Sequence, residues 1–143
     1  MRRLLARTLF ASSLAAVAAL GAGCSRRDAA DQRRDPATVP TVSVDQLDRM
    51  LASHECRAVD ANGDTTRRRM GVIPGAVLLR DMDAVDQLPA DKSTGLVFYC
   101  ANPACGASHE AAEHAITAGY THVQVLPEGI AGWVKAGKQT ASI

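Results

Sequence analysis

Cys100 and Cys105 are the residues of this chain whose types and spacing can do chemistry. The apolar run Leu96-Val97-Phe98-Tyr99 reads as a buried strand, and it stops at Cys100. Ala101, Asn102, Pro103, Ala104, Cys105, Gly106 and Ala107 then form a tight loop, and Ser108 opens and caps an alanine-rich helix. A sulfur held between a strand end and a helix start is well placed to attack as a thiolate. Loop amides and the helix amino end can face its negative charge there. Cys105, five residues on, makes the loop redox-capable as well. It is either a resolving cysteine that displaces sulfur or sulfenic oxygen from Cys100, or a loop staple or small buried hydrophobe. The two thiols are not joined by a second pair of ligands with metal-site spacing, so no metal and no cofactor is expected.

The elements that must hold this loop can be read along the chain. Ser43 and Gln46 make a capping box, and Leu47, Met50 and Leu51 give a short helix its buried stripe. A strand over Ala58 to Ala61 ends in the turn Asn62-Gly63-Asp64. Thr65 to Met70 is a helical turn or two carrying Arg67, Arg68 and Arg69. A rigid Pro-Gly bend leads into a strand over Ala76 to Leu79, and Asp83 to Leu88 is a brief helix closed by Pro89. Gly95 to Tyr99 is the central strand. Ala111, Ala112 and Ala115 line the buried side of the helix after the loop, with Gly119 just past its end. A strand over His122 to Leu126 and a helix through Ile130, Trp133 and Val134 finish the chain. Strands alternating with helices predict an α/β fold with a mostly parallel central sheet flanked by helices. Ligands in such sheets sit beyond the carboxyl ends of the strands, where Asp60 and Cys100 both fall. Cys56 begins the strand that Asp60 ends, about 13 Å away. It is therefore out of reach of Cys100.

The amino-terminal stretch belongs to targeting. Arg2, Arg3 and Arg7, an apolar core from Leu9 to Leu20, and small residues running into Cys24 have the build of a secretory signal over residues 1–23. They resemble a bacterial lipoprotein processing site, in which Cys24 becomes the lipidated first residue. The apolar run is shorter than the roughly 20 residues of a membrane-spanning helix. Residues 24–41 are charged, proline-containing and aperiodic, which suits a flexible tether, and residues 42–143 are the folded domain. The expected place is the cell envelope or periplasm, with a membrane anchor through lipidated Cys24. Removing Arg2, Arg3 and Arg7 turns 16 basic against 15 acidic residues into 13 against 15, a net charge of −2. That balance gives no reason to expect nucleic acid. A monomer is expected.

Taken in order, the motifs resemble those of a single rhodanese-like domain. Asp60 closes an early strand, and Gly71 to Ala76 carry a Gly-x-Ile-Pro-Gly-Ala signature. Cys100 heads the active loop, followed by Ser108, Ala111 and Ala112, then Gly119-Tyr120, and a closing Gly129-Ile130-x-x-Trp133. The resemblance implies sulfur transfer. Cys100 takes the outer sulfur of a small sulfane-sulfur donor, holds it as a persulfide, and passes it to a protein thiol or other nucleophile. Inward-pointing amides between Ala101 and Ala107 would stabilise that anion and bring the Cys100 pKa below its free value of about 8.5. Asp60 is the expected hydrogen-bonding anchor of the loop backbone. Three departures stand out. Ser108 lies eight residues after Cys100 where the family usually has six, and Ala107 stands where an arginine often does. One of Arg67, Arg68 and Arg69 is a candidate for the missing cation, or the run is a solvated face. Val72 replaces a histidine, and Cys105 is added. A thiol–disulfide redox protein and a catalytically inactive binding module are the competing expectations.

Overall fold

The computed structural model describes residues 38–143. Central strand β3 (Gly95–Tyr99) shows how the sequence builds the domain. Its side chains alternate between two apolar clusters on opposite sheet faces, as the two-residue period of a strand requires. Leu96 and Phe98 pack with Val59, Val123 and Val125 under Ala111, Ala112 and Ala115. Those alanines belong to α3 (Ala107–Thr117), and their small size lets the helix lie close to the sheet. Val97 and Tyr99 point the other way, onto Leu47, Ile130 and Trp133. These come from α1 (Val44–Ala52) and α4 (Gly129–Lys135). A sheet covered on both faces buries its central strand. Hence Leu96 through Cys100 are all buried.

The remaining strands are β1 (Cys56–Asp60), β2 (Val77–Leu78) and β4 (Val123–Leu126). The sheet order is β2-β1-β3-β4, and every pairing is parallel. The register sets Asp60 beside Tyr99 and Cys56 beside Gly95, so Cys56 lies at the edge opposite Cys100. Helix α2 (Asp64–Met70) leaves the same edge as the loop. The expected capping box is present: Ser43 Oγ accepts the Gln46 N–H at 3.3 Å, and Gln46 Oε1 accepts the Ser43 N–H at 2.8 Å.

Four expected elements differ in extent. β1 starts two residues earlier than Ala58, because Cys56 and Arg57 also pair with β3. β2 is only two residues, an edge strand that pairs solely with Val59 and Asp60. The brief helix before Pro89 is a single 3₁₀ turn, Val85–Gln87. Leu88 is extended there, as a residue preceding proline tends to be. Helix α3 begins at Ala107 with Gly106 in the N-cap position, so Ser108 is inside the helix and does not cap it. Among the described residues no helix is long and apolar enough to cross a membrane. The expected signal segment, Cys24 and most of the tether lie outside the described residues.

Candidate active site

The carboxyl edge of the sheet is fixed from below by a buried ion pair. Asp60 is fully buried, and its Oδ1 accepts the Asn62 N–H at 2.7 Å and the Arg67 Nε–H at 3.2 Å. Arg67 also donates from Nη2 to the carbonyl oxygens of Asp60 at 3.1 Å and Leu79 at 2.7 Å. One guanidinium therefore locks the ends of β1 and β2 together. The expectation that an arginine of this run supplies a free cation to the loop is corrected for Arg67, which is 6 % exposed and engaged by Asp60. Arg68 and Arg69 are exposed, and Arg68 pairs with Asp64 at 3.5 Å. With Thr140 and Ile143 they line an open hollow that does not include Cys100. The backbone that Asp60 anchors is therefore the Asn62 turn after β1, and not the Cys100 loop as expected. Burial, then the Asp60 charge, push the Tyr99 phenol far above its ordinary range, so it stays neutral. Its oxygen accepts the Ile73 N–H at 3.0 Å, tying the Gly-x-Ile-Pro-Gly bend to the end of β3.

The loop is held from above by α4. Ile130 and Ala131 donate their N–H groups to the carbonyl oxygens of Cys100 at 2.8 Å and Ala101 at 3.0 Å. These donors are orphans of the first helical turn, and the strand end gives them acceptors. Gly129 makes the approach possible: its φ is +60°, and a Cβ there would sit 2.5 Å from the Cys100 carbonyl oxygen. That role was not evident from the sequence, although the glycine stands out in the closing motif.

Within the loop, Asn102 sets the turn. Its Oδ1 accepts the Ala104 N–H at 2.9 Å, and its carbonyl oxygen accepts the Cys105 N–H at 3.0 Å. The chain then doubles back over Cys100. The Cys100 thiol donates to the Cys105 carbonyl oxygen at 3.1 Å, and its sulfur is 3.3 Å from the buried Ser108 hydroxyl. Pro103, Ala104 and Gly106 are exposed, and Ala107 is half-buried. Cys56, Cys100 and Cys105 are all free thiols. Among the described residues no three His, Cys, Asp or Glu side chains form a metal-binding group.

The electrostatics differ from the expectation for Cys100. Burial, followed by the hydrogen bond with Cys105, raises its pKa above the ordinary thiol value, against the lowering effect of the Ser108 hydroxyl and N–H. The expected depression is therefore corrected: at 2 % exposure, desolvation outweighs the donors. At neutral pH Cys100 rests as a thiol. Cys105 goes the other way. Burial pushes it up, but the Cys100 hydrogen bond and the N–H groups of Ala101 and Ala107 outweigh that and leave it lowered. Of the amides between Ala101 and Ala107 expected to favour the Cys100 anion, Ala101 and Ala107 favour Cys105, and Cys100 has the Ser108 N–H.

A parallel sheet whose central strand ends in a cysteine-bearing loop, backed by a helix, defines a class of small α/β domains. The chain belongs to the rhodanese-like domain family, whose model matches residues 43–136. Solved structures agree on the fold. The Alr3790 protein of Anabaena sp. is 25 % identical with a TM-score of 0.62, covering 71 % of this chain and 82 % of that one. The BH2092 protein of Bacillus halodurans is 21 % identical with a TM-score of 0.61, covering 72 % and 77 %. A human single-domain sulfurtransferase is 23 % identical with a TM-score of 0.57, covering 68 % and 96 %. No curated protein sequence matches the chain significantly.

Proposed function

We propose that the domain is an exported sulfurtransferase that carries sulfane sulfur as a persulfide on Cys100. One observation carries the reading: the Cys100 sulfur sits at the carboxyl end of the central strand with the Ser108 hydroxyl 3.3 Å away. That hydroxyl and the Ser108 N–H favour the anion at the moment it forms. The family and the human single-domain sulfurtransferase of similar fold support the same chemistry. Small sulfane-sulfur donors and protein thiols are the fitting partners, with the chain working as a monomer. Because Cys100 rests protonated, sulfur loading accelerates as pH rises. Export and lipidation of Cys24 rest on the amino-terminal sequence, and fatty-acid labelling lost in Cys24→Ser tests them.

Incubating the reduced protein with a panel of sulfane donors, followed by peptide mass analysis, should give an adduct of about 32 Da on Cys100. Absence of an adduct with every donor removes this function. The Cys105 carbonyl oxygen 3.1 Å from the Cys100 sulfur brings both cysteines into one small loop and favours a second reading, a thiol–disulfide cycle of Cys100 and Cys105. A potential of the pair within about −120 to −270 mV supports it, and a much lower one marks an inert bridge.

A further inference from the structure

The two thiols of the loop are unequally placed toward solvent. Cys100 is 2 % exposed, with its carbonyl held by Ile130, its thiol proton directed at the Cys105 carbonyl, and Ser108 against its sulfur. Cys105 is partly exposed at the turn, and the N–H groups of Ala101 and Ala107 favour its anion. Beyond it, Gly106 has open space on its side-chain side. A donor arriving from solvent must line its outer sulfur up with the attacking sulfur. Cys100, 2 % exposed with the Cys105 carbonyl oxygen 3.1 Å from its sulfur, offers a donor almost no surface, and Cys105 offers more.

Resting on the sulfurtransferase reading above, we propose that sulfur reaches Cys100 by way of Cys105. The Cys105 thiolate attacks the outer sulfur of the donor. A Cys105–sulfur bond forms, the donor's sulfur–sulfur bond breaks, and the donor leaves as a thiolate with the electron pair. Cys100, giving up its proton, then attacks the same sulfur. The Cys105–sulfur bond breaks, Cys105 leaves with the pair and takes a proton, and the persulfide now sits on Cys100. Each step is a displacement in which the moving sulfur keeps its oxidation level, so no external oxidant or reductant enters.

Two measurements test the relay. Limiting iodoacetamide on the reduced wild-type chain should label Cys105 at least about tenfold ahead of Cys100. With glutathione persulfide as donor, wild type should carry its adduct of about 32 Da on Cys100, while Cys100→Ser carries one on Cys105. Cys105→Ser should load Cys100 about tenfold more slowly than wild type. Preferential alkylation of Cys100 overturns the relay without needing any variant. So does a folded Cys100→Ser that takes up no sulfur while wild type does; the sulfurtransferase reading then survives with direct attack by Cys100. Release of sulfide with a protein about 2 Da lighter also overturns it, because Cys105 then expels sulfur from Cys100. No adduct on wild type removes the parent reading and the relay together.

Discussion

Cys56 and Cys100 lie at opposite edges of one parallel sheet, and both are buried, at 4 % and 2 % exposure. Burial raises both thiols, Cys56 to about 11 with a further push from the Glu55 charge. What separates them is the polarity of the strands. At the amino edge the chain arrives from the end of α1, and the Glu55 charge lies near the thiol. The Glu55 carbonyl oxygen lies 2.5 Å from where a Cβ on Gly95 would be. At the carboxyl edge the chain leaves toward α3, and N–H groups and the Ser108 hydroxyl gather around sulfur. The same residue type is therefore inert packing at one edge and a candidate nucleophile at the other. Empty volume does not track this difference. A hollow of about 570 Å³ lined by Met50, Glu55, Gly95 and His122 lies at the amino edge, away from the loop thiols.

The sharpest way to break the comparison is to remove each thiol. Cys100→Ser should lower sulfur turnover about a thousandfold or more, whereas Cys56→Ala should leave it within about twofold, measured as sulfur transferred to an added thiol. Equal losses would show that the two edges do not differ in function.

Next in size is the support beneath the carboxyl edge. Arg67→Ala leaves the Asp60 carboxylate buried without its cation and should cost about 3–5 kcal/mol in urea unfolding. Arg68→Ala, on the exposed face of the same helix, should cost no more than about 0.5 kcal/mol. A similar cost for both would mean that Arg67 does not lock the strand ends.

Ser108→Ala keeps the helix and removes a hydroxyl that favours the Cys100 anion. Sulfur loading should slow about tenfold near neutral pH, and its pH profile should move upward, because a lowering influence on the Cys100 pKa is gone. An unchanged profile would make Ser108 a packing residue.

The smallest effect concerns the amino edge. A cysteine whose folded-state pKa is raised gives its stability below the unfolded value and loses it as pH climbs toward the folded one. For Cys56 that window runs from 9.0 to about 11. Wild-type stability should fall across it, and the slope should flatten in Cys56→Ala when both are followed by urea midpoint. Cys100 contributes in the same direction, so Cys56→Ala flattens the slope only in part.

The sequence by itself determined the order of strands and helices, the α/β class and the edge on which chemistry belongs. Those features follow from local periodicity, turn residues and caps, such as the Ser43–Gln46 box and the apolar run into Cys100. It also placed Cys56 at the far edge, since strand rise alone fixes that distance. Only the tertiary structure decided how the site is built. Arg67 and Asp60 are seven residues apart, and whether such an arginine faces solvent or a carboxylate depends on β2 supplying the Leu79 carbonyl as well. Gly129 meets the Cys100 carbonyl across 29 positions of chain, a contact no local pattern encodes. The ionisation of the two loop thiols was likewise beyond local reading. Burial is a property of the whole packed domain, and here it outweighs the nearby donors at Cys100 while the N–H groups of Ala101 and Ala107 favour the Cys105 anion.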